Sequence, residues 1–187
     1  YMGDDIEMLN PRERQEMGVA FAPEERLGHA AVANLNLLEN SLITDPKKRF
    51  QTKMGFINFD ELNVYTNEII KKFNVKTTSS SALASSLSGG NLQKFVVGRE
   101  IGQKPALFIV NQPTWGVDAL SAANIRQAIV EIANTGAAII LISQDLDEIL
   151  EISTKVAFLT NGSLSVPTNT ADIKADKIGA MMGGVSD

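Results

Sequence analysis

Short apolar runs alternate with segments of helical periodicity along most of the chain. The runs at 106–110 and 137–142 are continuous, whereas Ile125, Ala128 and Ile129 repeat at helical spacing between them. A strand buried on both faces reads as such a continuous run, and a helix between two of them favours a parallel connection. The chain is therefore predicted to have an α/β fold with a parallel, doubly covered sheet.

The first half of the chain contains shorter elements with clear start signals. Asn10 is followed directly by Pro11 and, three residues after Asn10, by Glu13. This pattern is typical of a helix that begins with a capping box. Residues 19–22 are predicted to form a short strand. Between residues 28 and 75 the pattern becomes helical, and residues 36–39 are predicted to form a second capping box, with Asn36 and Glu39. The apolar side chains that share one helical face in this region are Leu62, Tyr65, Ile69 and Phe73.

The last third predicts smaller elements. Asp145 is placed to cap a short helix, and a strand is predicted over 156–159. The dipeptide at 161–162 is Asn-Gly, a strong hairpin signal, so residues 163–166 are expected to pair back onto that strand. A terminal helix is predicted over 171–182.

Composition narrows the classes of function. The chain has 187 residues, of which 44% are hydrophobic and 21% charged, so one globular domain or a domain and a half is expected. The net charge is −5, and the chain has no basic stripe, which argues against a nucleic-acid partner. No apolar run approaches the ~20 residues of a spanning helix. Any association with a membrane is therefore expected to come through a partner subunit.

Residues 87–94, with the sequence LSGGNLQK, are the most informative segment. Ser88, Gly89 and Gly90 directly precede an apolar periodic stretch, which predicts a loop that runs into a helix N-terminus. The free N–H groups and the helix dipole at such a point suit a phosphate oxygen, and glycine lets the backbone approach it. The alternative interpretation is a flexible turn after the serine-rich loop at 77–86.

This segment resembles the signature loop of ATP-binding cassette (ABC) ATPases, in the form typical of the tandem ATPase subunits of bacterial sugar and nucleoside importers. The run at 106–110 leads into NQPTWGVD at 111–118, where the family has DEPTxGLD. The run at 137–142 ends in Ser-Gln-Asp, and the family normally has histidine at the position of Gln144. The resemblance covers essentially the whole chain.

The resemblance implies a partial P-loop NTPase (RecA-like) parallel sheet with an inserted helical subdomain. Residues 1–27 correspond to the end of the core and the Q-loop region, 28–85 to the helical subdomain, and 86–187 to the core with the signature, Walker B-like, D-loop and switch segments. Glu24 stands where most members have the nucleotide-sensing glutamine. No phosphate-binding loop is found, so the chain is expected to be the C-terminal part of a second nucleotide-binding domain without the central phosphate-loop strand.

Three positions in the resembling site carry amides in place of the family's residues. Asn111 replaces the aspartate that supports Mg²⁺, and an amide holds a hard cation less well. Gln112 replaces the glutamate that polarises the attacking water, and glutamine cannot accept a proton. Gln144 replaces the histidine that contacts the γ-phosphate. Together they predict a degenerate half-site; the alternative is that they are only the polar ends of buried strands.

The signature segment, in contrast, matches the family. Ser88, Gly89, Gly90 and Asn91 are those of an intact signature, and the resemblance implies that they face the ATP of a partner cassette. Asp118 of the D-loop is also intact and is expected to touch that partner. This chain alone, without a phosphate loop, is not expected to hydrolyse ATP.

The resemblance also implies cofactors and partners for a full-length parent. These are ATP and Mg²⁺, a second cassette, transmembrane permease subunits and a periplasmic or lipoprotein substrate-binding protein, at the cytoplasmic face of the membrane. Two alternatives remain. A non-transport ABC protein would usually keep Asp-Glu and carry basic or coiled-coil insertions, and a structural or regulatory half-domain would not need an intact signature.

Overall fold

The computed structural model describes residue 1, residues 3–45 and residues 48–173, which divide into two compact units, the first ending at Ile142 and the second beginning at Ser143. Most of the predicted terminal helix at 171–182 lies outside the described residues. Within them, Thr170–Asp172 forms a single 3₁₀ turn. The α-helices of the described residues are α1 (Pro11–Glu16), α2 (Leu37–Ile43), α3 (Phe59–Lys72), α4 (Gly89–Gly102), α5 (Ala119–Asn134) and α6 (Leu146–Ile152).

A parallel sheet forms the centre of the first unit, as the sequence predicts. Its strands are β1 (Val19–Ala22), β2 (Leu107–Asn111) and β3 (Ala138–Ile142), in the order β1-β2-β3. Both pairings are parallel, and α5 provides the crossover from β2 to β3. The carboxyl ends of β2 and β3 therefore meet at one edge of the sheet, where ligand sites of α/β proteins are usually found.

Helices cover one face of this sheet. Helix α4 packs against β1 and β2, and α5 packs against β3. The wholly buried strand residues Ala22, Phe108 and Val110 belong to this covered side. The opposite face carries Phe21, Ile109 and Ile140, which are neighbours in the register of the three strands.

Part of that second face is open to solvent. Phe21, Ile140 and Ile142 are 53%, 49% and 49% exposed. The expectation of a doubly covered sheet is therefore wrong for the described residues. Among the described residues, β3 pairs only with β2, so the outer edge of β3 has no partner strand.

The helical region between β1 and α4 follows the sequence prediction. Its capping box is formed, because Asn36 accepts a hydrogen bond from the Glu39 amide at 2.9 Å. The capping box of α1, before β1, is formed as well: Asn10 accepts a hydrogen bond from the Glu13 amide at 3.0 Å. Leu62 and other apolar residues of α3 are buried, so the predicted face is the packed one. Helix α3 lies between α2 and α4.

Helix α4 is buried on every side, since each of its residues from 92 to 101 is buried. Two glycines one turn apart allow α3 to approach it closely. A Cβ on Gly98 would lie 2.5 Å from the Phe73 ring, and a Cβ on Gly102 would lie 2.6 Å from the Tyr65 hydroxyl oxygen. Neither position accepts a larger side chain without moving α3.

A buried ion pair lies in the last turn of α4. The Arg99 guanidinium lies 2.8 Å from a Glu100 carboxylate oxygen and donates to the carbonyl oxygens of Ala30, at 2.7 Å, and Asn40, at 3.2 Å. Burial raises the pKa of the Glu100 carboxyl, and Arg99 opposes that shift. Removing either partner would leave an uncompensated buried charge.

The second unit starts with α6, which Asp145 caps through the Glu148 amide at 3.2 Å. Glu148 itself is 1% exposed, and neither of its carboxylate oxygens has a hydrogen-bond partner among the described residues. The short strands are β4 (Lys155–Val156), β5 (Leu159–Thr160), β6 (Ser163–Leu164) and β7 (Thr168–Asn169).

The predicted hairpin is present, but its first strand is interrupted. β5 pairs with β6 through a turn in which Asn161 and Gly162 both have positive φ, as a type I′ turn requires. A continuous strand over 156–159 is wrong, because β4 takes β7 as its partner and the chain changes partners before β5. No helix among the residues described is long and apolar enough to cross a membrane.

Candidate functional site

The signature segment begins a helix, as predicted. Ser88 is the N-cap of α4, with extended backbone, and Gly89 is its first residue. The Ser88 side chain makes no capping hydrogen bond to the helix backbone. Ser88 and Gly89 are exposed, so the unpaired N–H groups of the first turn face solvent at the positive end of the helix dipole. This arrangement suits an oxyanion, such as a phosphate group.

Asn91 fixes the Ser88 side chain. Its Nδ2 donates to Ser88 Oγ at 2.9 Å, and its Oδ1 accepts from the Lys76 amide at 2.9 Å. Because the Ser88 oxygen accepts this bond, its own proton remains available for a ligand. Asn91 therefore both orients the hydroxyl and connects the first turn of α4 to the preceding loop.

Gly90 is in direct contact with the turn that follows β2. A Cβ at this position would lie 2.7 Å from the carbonyl oxygen of Gly116, which itself has φ +68°. Sequence reasoning explained Gly90 by the approach of a phosphate. The structure adds a second reason, because a side chain there would push away residues 114–117, which we call the D-loop turn.

Arg26 is a site residue that sequence reasoning missed. It lies in the segment after β1, and its Nε donates to Gln93 Oε1 at 3.0 Å. Its Nη2 donates to the carbonyl oxygen of Trp115. Partial burial lowers the pKa of the guanidinium, and Glu24 opposes the shift. These partners lie 67 and 89 positions away in sequence, so no local pattern could have indicated them.

Gln93 connects α4 to the end of β2. Its side chain is wholly buried, and its Nε2 donates to the carbonyl oxygens of Gln112 and Pro113, both at 3.2 Å. Its Oε1 accepts from Arg26. The amide thus holds the start of the signature helix against the segment that contains Asn111 and Gln112.

Asn111 and Gln112 lie where β2 ends. Asn111 is half-buried, whereas Gln112 is 7% exposed and has φ +50°, a left-handed conformation that is uncommon outside glycine. The Gln112 amide donates to the carbonyl oxygen of Ile142 at 2.8 Å, so the ends of β2 and β3 are joined there. The surroundings therefore fix the backbone of this position.

Asp118 caps α5. It accepts hydrogen bonds from the Ser121 amide at 3.0 Å and the Ser121 hydroxyl at 2.6 Å. These bonds lower the pKa of the exposed Asp118 carboxyl. The sequence predicted only that Asp118 contacts a partner cassette. Within the chain, Asp118 also caps α5.

Two further predicted site residues, Glu24 and Gln144, lie outside the signature segment and the D-loop turn. Glu24 is exposed in the segment after β1, and Gln144 is exposed in the second unit. No group of three or more His, Cys, Asp and Glu side chains that could hold a metal ion occurs in the described part of the chain. Asn111 and Gln112 carry no charge, so the residues at the end of β2 do not fit a resident Mg²⁺ ion.

Comparisons with known proteins agree with this geometry. No family model matches the chain. It is 33% identical to the glucose import ATP-binding protein of Haloferax volcanii and 32% identical to the nucleoside import ATP-binding protein of Lactococcus lactis, and these matches cover 99% and 96% of the chain. The chain belongs to the ATP-binding cassette family. It spans only 34% and 36% of the length of those two ABC relatives.

Solved ABC cassettes share the fold. The dimeric post-hydrolysis cassette bound to ADP and phosphate superposes with a TM-score of 0.72 at 18% identity, over 87% of this chain and 68% of that one. An ATP-binding subunit of an ABC transporter superposes with a TM-score of 0.68 at 18% identity, over 94% and 66%. At this identity the likeness establishes the ABC fold of the chain.

Proposed function

We propose that this chain is part of an ABC importer for a sugar or nucleoside and that its signature loop completes an ATP site on a partner cassette. The observation that carries the proposal is the exposed first turn of α4, with Ser88 and Gly89 at its start. Asn91 and Gln93 fix this turn from two sides. Such preorganised N–H donors stabilise charge on a phosphoryl group.

In this proposal the chain's own half-site is degenerate. Asn111, Gln112 and Gln144 are neutral amides at the positions that bind the metal and polarise water in the family. Because Gln112 cannot accept a proton, the rate enhancement of about 10²–10⁴-fold that a general base contributes is lost. The isolated chain is therefore expected to release no phosphate from Mg-ATP above background, measured at steady state.

We further propose that the chain is the C-terminal part of a cassette. The unpaired edge of β3 and the half-exposed Phe21, Ile140 and Ile142 support this, because parallel sheets are normally buried on both faces. A phosphate-loop strand would pair with the free edge of β3, and its helix would cover the exposed side chains. The segments then correspond to the core and Q-loop region at 1–27, the helical subdomain at 28–85 and the core at 86–187.

The partners follow from the same proposal. The helical subdomain would dock on permease subunits at the inner face of the membrane, and a substrate-binding protein would deliver the solute outside. Exposed apolar side chains support a protein contact there: Met54, Phe56 and Phe59 are 83%, 67% and 60% exposed. ATP and Mg²⁺ would be held mainly by the partner cassette, and Ser88 and Gly89 would contact the phosphate.

The test compares two substitutions in the assembled importer. Ser88→Asp keeps a good N-cap for α4 but places a negative charge against the phosphate. It is expected to lower transport-linked ATPase activity by about 10-fold or more. Gln112→Asn, which tolerates the left-handed backbone, is expected to change it less than about twofold. Equal losses, or a larger loss for Gln112→Asn, would contradict the proposal.

A further inference from the structure

We propose that Arg26 is a positioning residue that locks the D-loop turn onto the first turn of α4. The inference rests on the proposed function, since it describes how the two segments that would face a partner cassette are held together. We call this contact the Arg26 latch, formed by Arg26, Gln93 and the carbonyl group of Trp115.

The guanidinium of Arg26 lies between two glycines. A Cβ on Gly89 would stand 2.7 Å from its Nη1, and a Cβ on Gly116 would stand 3.3 Å from its Nη2. Arg26 therefore occupies the space next to both glycines. One glycine belongs to the signature segment and the other to the D-loop turn, so the guanidinium fills the space between them.

The hydrogen bonds of the latch form a closed chain. Arg26 donates to Gln93 of α4 and to Trp115 of the turn, and Gln93 donates to Gln112 and Pro113, just before the turn. The planar guanidinium can direct two donors in these different directions. A lysine ammonium on a flexible stem cannot reproduce that fork.

Geometry rather than charge holds the latch. A cation at the N-terminus of a helix is disfavoured by the helix dipole, so Arg26 gains nothing from its charge at Gly89. Its hydrogen bonds to Gln93 and Trp115 offset that repulsion. The charge-conserving change Arg26→Lys should therefore disrupt the latch almost as much as Arg26→Ala.

Arg26 also brings a third segment into the contact. It lies four positions after β1, in the same loop as Glu24. A displacement of this loop pulls on α4 and on the D-loop turn together. The latch thus links the position of the loop after β1 to the alignment of the signature segment.

The first test uses the 187-residue chain, in which Trp115 is the single tryptophan. Acrylamide quenching of Trp115 fluorescence and site-resolved amide exchange are measured for Arg26→Ala, Arg26→Lys and the control Arg12→Ala. Arg12 is an exposed arginine that pairs with Glu16 on α1. The two Arg26 variants are expected to raise quenching and to speed exchange by about 10-fold at the hydrogen-bonded amides of Trp115 and Val117, with α3 unchanged.

Three results of this test would overturn the latch. Unchanged exchange at Trp115 and Val117 would show that Arg26 does not hold the turn. A uniform increase across the sheet and α3 would show a general structural role. Full rescue by Arg26→Lys would show that charge, not the fork of donors, is responsible.

The second test measures ATPase kinetics of the assembled importer and separates the two proposals. A misaligned signature weakens contacts made in the transition state, so Arg26→Lys is expected to lower kcat by about 10-fold with KM for ATP within about twofold. If Ser88→Asp lowers activity but Arg26→Lys does not, the latch is wrong. If neither changes activity while the exchange result holds, the latch stands and the proposed function fails.

Discussion

The carbonyl oxygen of Gly116 lies 2.7 Å from the point where a Cβ of Gly90 would stand. The second residue of the signature helix is therefore packed against backbone, which cannot swing aside as a side chain can. At Gly89, one residue earlier, the nearest obstacle is the flexible end of Arg26, also at 2.7 Å. Two adjacent glycines thus have different tolerances for substitution.

The first prediction compares alanine at these two positions. Gly90→Ala is expected to lower the free energy of unfolding by about 1–3 kcal/mol, because the turn must move to relieve the contact. Gly89→Ala is expected to change it by less than about 1 kcal/mol, since the helix gains from alanine while Arg26 shifts. Urea unfolding followed by circular dichroism measures both. A larger loss for Gly89→Ala would contradict the difference.

The second prediction concerns pH and Asp118. Hydrogen bonds from Ser121 lower the pKa of this carboxyl in the folded state. Its contribution to stability is therefore present above the ordinary aspartate pKa of about 3.9 and is lost as the pH falls through the lowered value. Wild type should exceed Asp118→Asn in stability at pH 7, and the difference should vanish in acid.

The titration of the Asp118 carboxyl, followed by carbon NMR, provides the direct measurement. Ser121→Ala removes the hydroxyl donor and is expected to raise the Asp118 midpoint towards the ordinary value. A wild-type midpoint at or above that of an unperturbed aspartate would show that the Ser121 contacts are not formed in solution.

The third prediction concerns the buried Glu148 carboxylate, which has no partner among the described residues. Glu148→Met has a similar volume and no polar atoms that need hydrogen bonds. It is expected to raise the free energy of unfolding of the chain by about 1–3 kcal/mol. The control is Asp147→Asn at the exposed neighbouring position, where little change is expected. A loss of stability in Glu148→Met would indicate that the carboxylate is satisfied in solution.

The fourth prediction follows from the sheet. The exposed apolar face and unpaired edge of β3 are expected to make the isolated chain self-associate. Ile140→Lys should shift sedimentation towards the monomer. Leu164→Lys, at a residue 68% exposed on β6, is the matched control and should not. A wild-type chain that sediments as a monomer at every concentration would refute this expectation.

The sequence predicted the elements whose signals are local. The runs at 106–110 and 137–142 became β2 and β3, both capping boxes formed, and Asn161–Gly162 made the hairpin turn. The cap of α5 had a local signal too, in the spacing of Asp118 and Ser121.

Features that depend on distant segments could not be predicted in this way. The hydrogen bonds of Arg26 join residues 67 and 89 positions apart, and nothing near Arg26 indicates them. The interruption of the strand at 156–159 depends on β7, which competes as a partner for β4. The coverage of a sheet face likewise depends on which helices reach it, and a continuous apolar run along a strand does not reveal that.

The burial of α4 on every side has a mechanical consequence. A helix of 14 residues is about 21 Å long, and this one is held by the sheet, by the hydrogen bonds of Arg99 to Ala30 and Asn40, and by α3 through Gly98 and Gly102. It therefore cannot roll or slide independently of α3 and the sheet. We expect a displacement of α3 near Tyr65 to move the whole helix with it, including Ser88 and Gly89 at the other end.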